Sequence, residues 1–397
     1  MTASPIMVLS LRRLVAISIA VVISLHYLLV VVFKKDIDVV STVTDFGGRI
    51  GLTKPASKEP TNILFSPPPQ FKQSTSEVAL PNTGSERANA TFVFLCRNSD
   101  LAGVVSSIQQ MEDRFNRKHG YPWVLLNEEP FTEEFKTRVE VLTNSPVHFG
   151  VIPPEHWYQP DWIDEEQAKA GRLRMTDQGI IYGGSVPYRN MCRFNSGFFF
   201  HHELLKPYKY YWRVEPEVKY FCDLDYDPFK FMEENKKVYG FTIALLEWEP
   251  TITTLWKHVK EFSKKYPEYI NPKGSMEFLS DDQGESYNLC HYWSNFEIAD
   301  MDFWRSDAYQ AFFEHLESTG GFYYERWGDA PVHSIAASLL ARKDQIHFFE
   351  DIGYRHEWIQ HCPNTESWWK GKCACDPSDS FDDHYNSCLS RYKRMFS

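Results

Sequence analysis

Three stretches of this sequence set carboxylates against apolar residues, the setting in which an acid does chemistry rather than merely meeting solvent. In the first, the run Tyr210-Tyr-Trp-Arg-Val214 breaks at Glu215-Pro-Glu217. Proline ends a strand and leaves Glu215 at the sheet edge. Oxygen ligands of this type suit Mg²⁺ or Mn²⁺, which usually take one or two carboxylates and complete their shell with substrate phosphates. Asp223-Leu-Asp225 is a rival pair further on, and either cluster could instead be a solvated turn. In the second, Glu297 lies between Phe296 and Ile298 and is expected to be partly desolvated. A carboxylate there could steady a developing cation or attack an electrophilic carbon, as in glycosyl chemistry. The bland alternative is a buried Glu paired with an Arg. In the third, Glu325-Arg-Trp-Gly-Asp329 puts an acid just before a helix, where an N-cap is the ordinary role. His333 and His356 are the histidines best placed as metal ligands, although a lone His is more often structural.

These groups need a frame. Thr91–Cys96 reads as a short buried strand, and Arg97-Asn-Ser-Asp100 ends it with a helix-cap signal. Leu101–His119 has helical spacing through Val105, Ile108, Met111 and Phe115, and Gly120 stops it. Trp123–Leu126 is the next strand. Strand, helix and strand at this length make a βαβ unit and a parallel sheet. Further strands are expected at Tyr210–Val214, Tyr239–Leu246 and Ile346–Phe349, and helices at Thr254–Lys265, Ser306–Glu317 and Val332–Arg342. Val141–Tyr182, rich in Pro, Trp and polar residues, reads as irregular excursions. The body is α/β, with a nucleotide expected at the carboxyl ends of the strands.

Several classes fall away. No Gly-x-Gly-x-x-Gly follows the first strand, and there is no Walker A sequence and no Gly-x-Ser-x-Gly elbow. These absences argue against dinucleotide enzymes, P-loop kinases and esterases. A net charge of −11 argues against nucleic acid as a partner. Aromatic residues reach 16%, which suits stacking on sugar C–H faces and equally suits a large aromatic core.

Ahead of the body, Leu14–Phe33 is an apolar run flanked by Arg12-Arg13 and Lys34-Lys35. As a helix it spans roughly 30 Å, the thickness of the hydrocarbon core. Its bulky end fits a signal-anchor better than a cleaved signal peptide. The expected layout is a cytosolic tail (1–13), a transmembrane span (14–33), a Ser/Thr/Pro-rich stem (34–88) and a catalytic body (89–397). Asn89-Ala-Thr91 is an N-glycosylation sequon. Of eight cysteines, four crowd the tail: Cys362, Cys373, Cys375 and Cys388. Cys-x-Cys spacing with no second compact pair favours disulfides over zinc, and leaves the pairing open.

At these same segments the sequence resembles the fungal Golgi α-1,2-mannosyltransferases, glycosyltransferase family 15, from about Asn89 to the tail. The resembling blocks are Ile181–Phe198, Tyr211–Pro216, Tyr287–Glu297, Arg326–His333 and Asp351–Tyr354. The resemblance implies a GT-A-like fold with a mixed central sheet, a GDP-mannose donor, Mn²⁺ and retention of anomeric configuration. It implies Glu215 and His356 as metal ligands and Glu297 as the proposed nucleophile. Tyr188 falls on the family's active-site tyrosine, and Asp329 would lie near the reacting sugar. On the same reading Arg97, Arg193 and Tyr188 hold the nucleotide, and the acceptor is a mannose hydroxyl on an N- or O-linked glycan. The expected location is the Golgi membrane, single-pass type II, with the body lumenal. Pro187 and Glu217 depart from the family pattern without removing a functional group. Two other functions stay open: mannosylphosphate transfer or its regulation, and an inactive glycan-binding scaffold.

Overall fold

The structure, a computed structural model, describes residues 87–396. The expected tail and membrane span, and the expected stem up to residue 86, lie outside them. Among the described residues no helix is long and apolar enough to cross a membrane.

Strand β1 (Ala90–Leu95), helix α1 (Leu101–Met111) and β2 (Trp123–Asn127) form the expected βαβ unit, with β1 and β2 parallel. The long expected helix is subdivided. After α1 the chain widens into a π turn at Glu112–Asn116, where the inward Glu112 accepts from Asn116 at 2.7 Å and Trp123 at 2.8 Å. A last turn, Arg117–His119, ends at Gly120 in the left-handed region (φ 70°), as a glycine stop requires.

The expected irregular stretch 141–182 is more ordered than its composition suggests. It holds β3 (Val147–Val151), the parallel edge strand beside β2, and a helix at Glu165–Asp177. β3 is mostly half-buried and lacks the continuous apolar run of an interior strand. The helix has few apolar residues, so neither element carried a strong period. Next come α2 (Val186–Gly197), β4 (Tyr210–Val214) and β5 (Lys219–Tyr220). The expected strand 239–246 is two pieces, β6 (Tyr239–Phe241) and β7 (Ala244–Leu246). β8 (Cys290–Tyr292) pairs with β7, and β9 (Ile298–Asp300) enters the main sheet. Helices α3 (Asp307–Glu317) and α4 (Asp329–Leu340) precede β10 (Ile346–Phe348), β11 (Tyr354–His356) and β12 (Ile359–His361).

The main sheet has the order β10-β6-β9-β4-β1-β2-β3. β9 runs antiparallel to both β4 and β6, so the sheet is mixed, as expected. Alternate residues serve opposite layers: Val93, Tyr211 and Ala299 on one face, Phe92, Trp212 and Ile298 on the other. A second sheet, β12-β11-β5, carries the chain just past the Glu215 corner. Three disulfides, Cys222–Cys373, Cys290–Cys388 and Cys362–Cys375, bind the tail to the body. Only the last lies within the tail, while Cys96 and Cys192 are free and buried.

Candidate active site

The site begins where β4 ends. β4 and β1 are parallel and in register to Val214 opposite Phe94, so Glu215 and Arg97 leave the sheet at the same, carboxyl edge. Glu215-Pro-Glu217 then turns a corner at which Glu217 adopts φ 63°. Gly103, in the first turns of α1, allows this corner to lie against the helix. A Cβ there would stand 2.7 Å from Glu217 Cγ and 3.0 Å from Pro216 Cβ. The Glu217 amide donates to the Gly103 carbonyl at 3.2 Å. Beyond the corner the chain enters β5, which pairs with β11 at Tyr220–Tyr354 and Lys219–Arg355. That register brings His356, at the end of β11, beside Glu215, with Nε2 3.3 Å from Oε2.

Arg213 links the carboxylates. Its Nε donates to Glu215 Oε1 at 3.0 Å, and its Nη1 donates to Asp329 Oδ2 at 2.5 Å. Ser294 Oγ donates to the same Asp329 oxygen at 2.7 Å. Burial alone would raise the Glu215 carboxyl, but the Arg213 guanidinium and His356 reverse this and hold it at about 2. For His356, burial pulls downward and Glu215 prevails, so the imidazole lies above its ordinary value. Its Nδ1 is buried without a hydrogen-bond partner. Asp329 is the first residue of α4. The cap position belongs to Gly328, and the Asp329 side chain faces Arg213 rather than its own helix end.

Glu297 stands just before β9. The Arg213 amide donates to its carbonyl at 2.9 Å across the β4–β9 ladder. Its side chain is fully buried. Tyr211 donates to Oε1 at 2.6 Å, Tyr239 donates to Oε2 at 3.0 Å, and His333 Nδ1 lies 3.0 Å from Oε2. The carboxylate is therefore held by two phenols and an imidazole, and its link to an Arg is through the backbone. Glu215 and Glu297 line one narrow cavity of about 10 Å³, together with Leu95, Asn195, Tyr211 and Arg213. That volume admits about one water and no nucleotide.

Tyr188, on α2, stacks on Tyr182 (4.6 Å, 10°) and lies under the Arg326 guanidinium at 5.0 Å. Burial pushes its hydroxyl well above the ordinary phenol range, and Asp329 and Glu247 add to the rise. Arg97 is half-exposed at the end of β1, 3.5 Å from Glu128. Arg193 is engaged elsewhere: its Nε donates to Glu317 at 2.7 Å, and its Nη1 reaches the carbonyls of Glu155, His156 and Tyr158. This buried ion pair ties α2 to α3. His333 is likewise drawn to Glu297 and to the Asn195 carbonyl rather than to Glu215. The rival pair is a surface feature: Asp223 pairs with Arg114, and Asp225 is exposed.

The structure thus brings Glu215, His356, Asp329 and Glu297 to one edge of the sheet, sets Tyr188 on α2 against Tyr182 and Arg326, and leaves Arg193 in a structural pair. Sequence reading passed over Arg213 and Tyr211, which look like strand residues. Their i, i+2 spacing, which puts both on one sheet face, was the available signal.

A mixed α/β sheet whose carboxyl edge gathers a carboxylate–histidine pair, a bridging arginine and a second buried carboxylate suits metal-assisted chemistry on a phosphate-bearing ligand. The profile of the family described as glycolipid 2-alpha-mannosyltransferase matches residues 52–397. Alpha-1,2 mannosyltransferase KTR1 of Saccharomyces cerevisiae is 52% identical over 318 residues, covering 80% of this chain and 81% of that protein. Glycolipid 2-alpha-mannosyltransferase 2 of Candida albicans is 53% identical over 308 residues, 77% of this chain and 67% of its own. Among solved structures, core-mannan synthase A (CmsA/Ktr4) of Aspergillus fumigatus, in an Mn/GDP form, superposes with a TM-score of 0.75 at 42% identity. It covers 80% of this chain and 87% of that one. The mannosyltransferase Ktr4p of S. cerevisiae in complex with GDP gives 0.74 at 42% identity, over 78% and 82%. The chain belongs to the glycolipid 2-alpha-mannosyltransferase family, glycosyltransferase family 15, and is a mannosyl-transferring enzyme.

Proposed function

We propose that this enzyme is a retaining α-1,2-mannosyltransferase that moves mannose from GDP-mannose to a mannose hydroxyl of an N- or O-linked glycan, with Mn²⁺ as its metal. The observation that carries this reading is the Glu215–His356 pair at the carboxyl edge of β4, tied through Arg213 to Asp329, with Glu297 lining the same small cavity as Glu215. An Mn/GDP form of core-mannan synthase A and a GDP complex of Ktr4p support the cofactor and the nucleotide.

The residues present fit a divalent ion. Glu215 is held ionised, His356 is adjacent, and the His356 Nδ1 has no partner within the protein. These two side chains would hold Mn²⁺, which when bound supplies charge neutralisation for the departing diphosphate. Arg213 fixes the Glu215 carboxylate by one oxygen and leaves Oε2 on the His356 side. Asp329 and Tyr188 border the position of the reacting sugar. Glu297 either attacks the anomeric carbon or steadies its positive charge while the acceptor enters on the face that GDP leaves. Its two phenolic donors, Tyr211 and Tyr239, lower its nucleophilicity, which favours the stabilising role. Arg97, at the same sheet edge, is available to the nucleotide.

A Golgi location, as a single-pass type II protein with a lumenal body, belongs to the same proposal. Its support is the apolar run Leu14–Phe33 and the three disulfides, which suit an oxidising compartment. The decisive experiment is incubation of the full-length protein with GDP-mannose and methyl α-mannoside, with and without Mn²⁺. The expected products are GDP and an α-1,2 disaccharide, read by NMR. Release of GMP, or turnover indifferent to chelators, would overturn the assignment.

A further inference from the structure

Asn89-Ala-Thr91 is the only Asn-x-Ser/Thr sequence in the chain. Asn89 immediately precedes β1, and Thr91 is the second residue of that strand. The sequon therefore stands at the amino edge of the parallel strands, opposite to the edge that carries Glu215 and Arg97. Its two functional groups are placed differently. The Asn89 side chain is exposed, and its Nδ2 donates to the Pro207 carbonyl at 2.8 Å. A side-chain amide has two protons, so that bond leaves the second for replacement by a sugar. The backbone holds Asn89 in place, since its carbonyl accepts from the amides of Lys209 at 3.0 Å and Tyr210 at 2.9 Å. Thr91 is fully buried, and its Oγ1 donates to the Pro122 carbonyl at 2.9 Å.

Asn89 also lines a groove of about 420 Å³, whose other walls include Tyr121, Pro122, Pro146, His148 and Tyr208. These residues lie at or just before the starts of β1, β2, β3 and β4, which are neighbours in the sheet. The groove is thus built by four adjacent strand ends. Its rings, with a few polar edges, suit the C–H face and hydroxyls of a sugar.

We propose that Asn89 carries an N-linked oligosaccharide, attached before β1 enters the sheet, and that the first sugar rests in this groove. The inference rests on the lumenal location given above. In the attachment step, Asn89 Nδ2 bonds to the anomeric carbon of an oligosaccharide carried on a polyprenyl diphosphate. The bond from that carbon to the diphosphate oxygen breaks, the lipid diphosphate leaves, and Nδ2 gives up one proton. The sequon is defined by its hydroxyl as much as by its amide. Folding hides the Thr91 hydroxyl under Pro122, so addition comes first. The glycan then stands on the edge away from Glu215 and leaves the transfer reaction free.

The test begins with translation of the full-length chain in the presence of rough microsomes, probed by protease and by peptide-N-glycosidase. The body should be protected and should shift by one glycan, and Asn89→Gln should abolish the shift. A protected body without the shift overturns this inference alone. A digested body overturns the lumenal reading and this inference with it. Timing is read by offering unglycosylated full-length protein to an oligosaccharyltransferase with its lipid-linked donor. The reduced, alkylated chain should be modified and the native chain should not, and modification of the native chain overturns the order of events. The seat is read from glycosidase release on the native enzyme. Tyr208→Ala should speed release roughly 3- to 10-fold, the worth of one ring contact, with kcat unchanged. If that variant does not fold, His148→Ala on the edge strand takes its place. Unchanged release overturns the seat and leaves the groove to another occupant, such as the segment before residue 87.

Discussion

Arg213 Nη1 donates to Asp329 Oδ2 at 2.5 Å while its Nε holds Glu215, so one guanidinium from β4 joins the first residue of α4 to the corner that ends its own strand. Both ends of the Arg213–Asp329 contact are buried. Removing one partner of such a pair leaves an uncompensated charge. Arg213→Met should therefore cost about 3–5 kcal/mol of stability, measured by denaturant unfolding, and should abolish transfer. Midpoints equal to those of the wild type would show that the bridge is incidental.

Removing the Glu215 carboxylate should act on binding. Glu215→Ala is expected to weaken Mn²⁺-dependent GDP binding in calorimetry, whereas Glu297→Ala should bind GDP as the wild type does and transfer no mannose. If Glu297→Ala turns over fully, its place in the chemistry is wrong.

The same contact sets a pH dependence. The folded-state carboxyl of Glu215 is depressed from 4.5 to about 2. Its stabilisation is complete above about 4.5 and is lost as pH falls toward about 2. His356 is raised, so its share is complete below its ordinary 6.5 and fades as pH rises through the elevated value. Without added metal, Glu215→Gln should lower the melting temperature most between these limits and should flatten its decline below pH 4.5. A constant offset across the whole range would contradict this.

Gly103 offers a test of the corner from outside the site. A Cβ at 2.7 Å from Glu217 Cγ, with the Glu217 amide nitrogen at 3.1 Å, must push the Glu-Pro-Glu turn away from α1. Gly103→Ala should cost about 1–3 kcal/mol, as overpacking does, and should weaken Mn²⁺-dependent GDP binding although no ligand group is removed. Unchanged binding would separate the corner from the metal site.

The Cys290–Cys388 bond closes a loop with a sequence separation of 98 and joins β8 to the tail. Replacing both cysteines by Ala should lower stability by about 2–5 kcal/mol. Thermal melting under oxidising conditions would check it, and a loss below 1 kcal/mol would mean that tail packing alone suffices.

Local pattern was enough for the βαβ unit, for β4 with its abrupt end, and for the helices at Thr254–Lys265 and Ser306–Glu317, which appear within a residue as Leu255–Lys265 and Asp307–Glu317. Such segments carry a strong apolar period and clear stops, which act over a few residues. β3 and the helix at Glu165–Asp177 escaped because edge position and half-burial blur the period. Glu215 was legible as a candidate from the break that ends its strand, Glu297 from its apolar flanks and Asp329 from its place before a helix, whereas the metal role of His356 came from the family resemblance.

Their meeting was not legible from residue type and spacing, although the family resemblance implied it for Glu215 and His356. Whether Arg193 serves a ligand or Glu317, whether His333 joins a metal or Glu297, and which cysteines pair are all settled by residues far apart in the chain. Residue type and spacing speak of the backbone nearby, and so they name the groups able to do chemistry. Partner choice depends on the order of strands in the sheet and the register of β4 against β9 and of β5 against β11. Those follow from burying both faces of the sheet at once, a condition on the whole molecule.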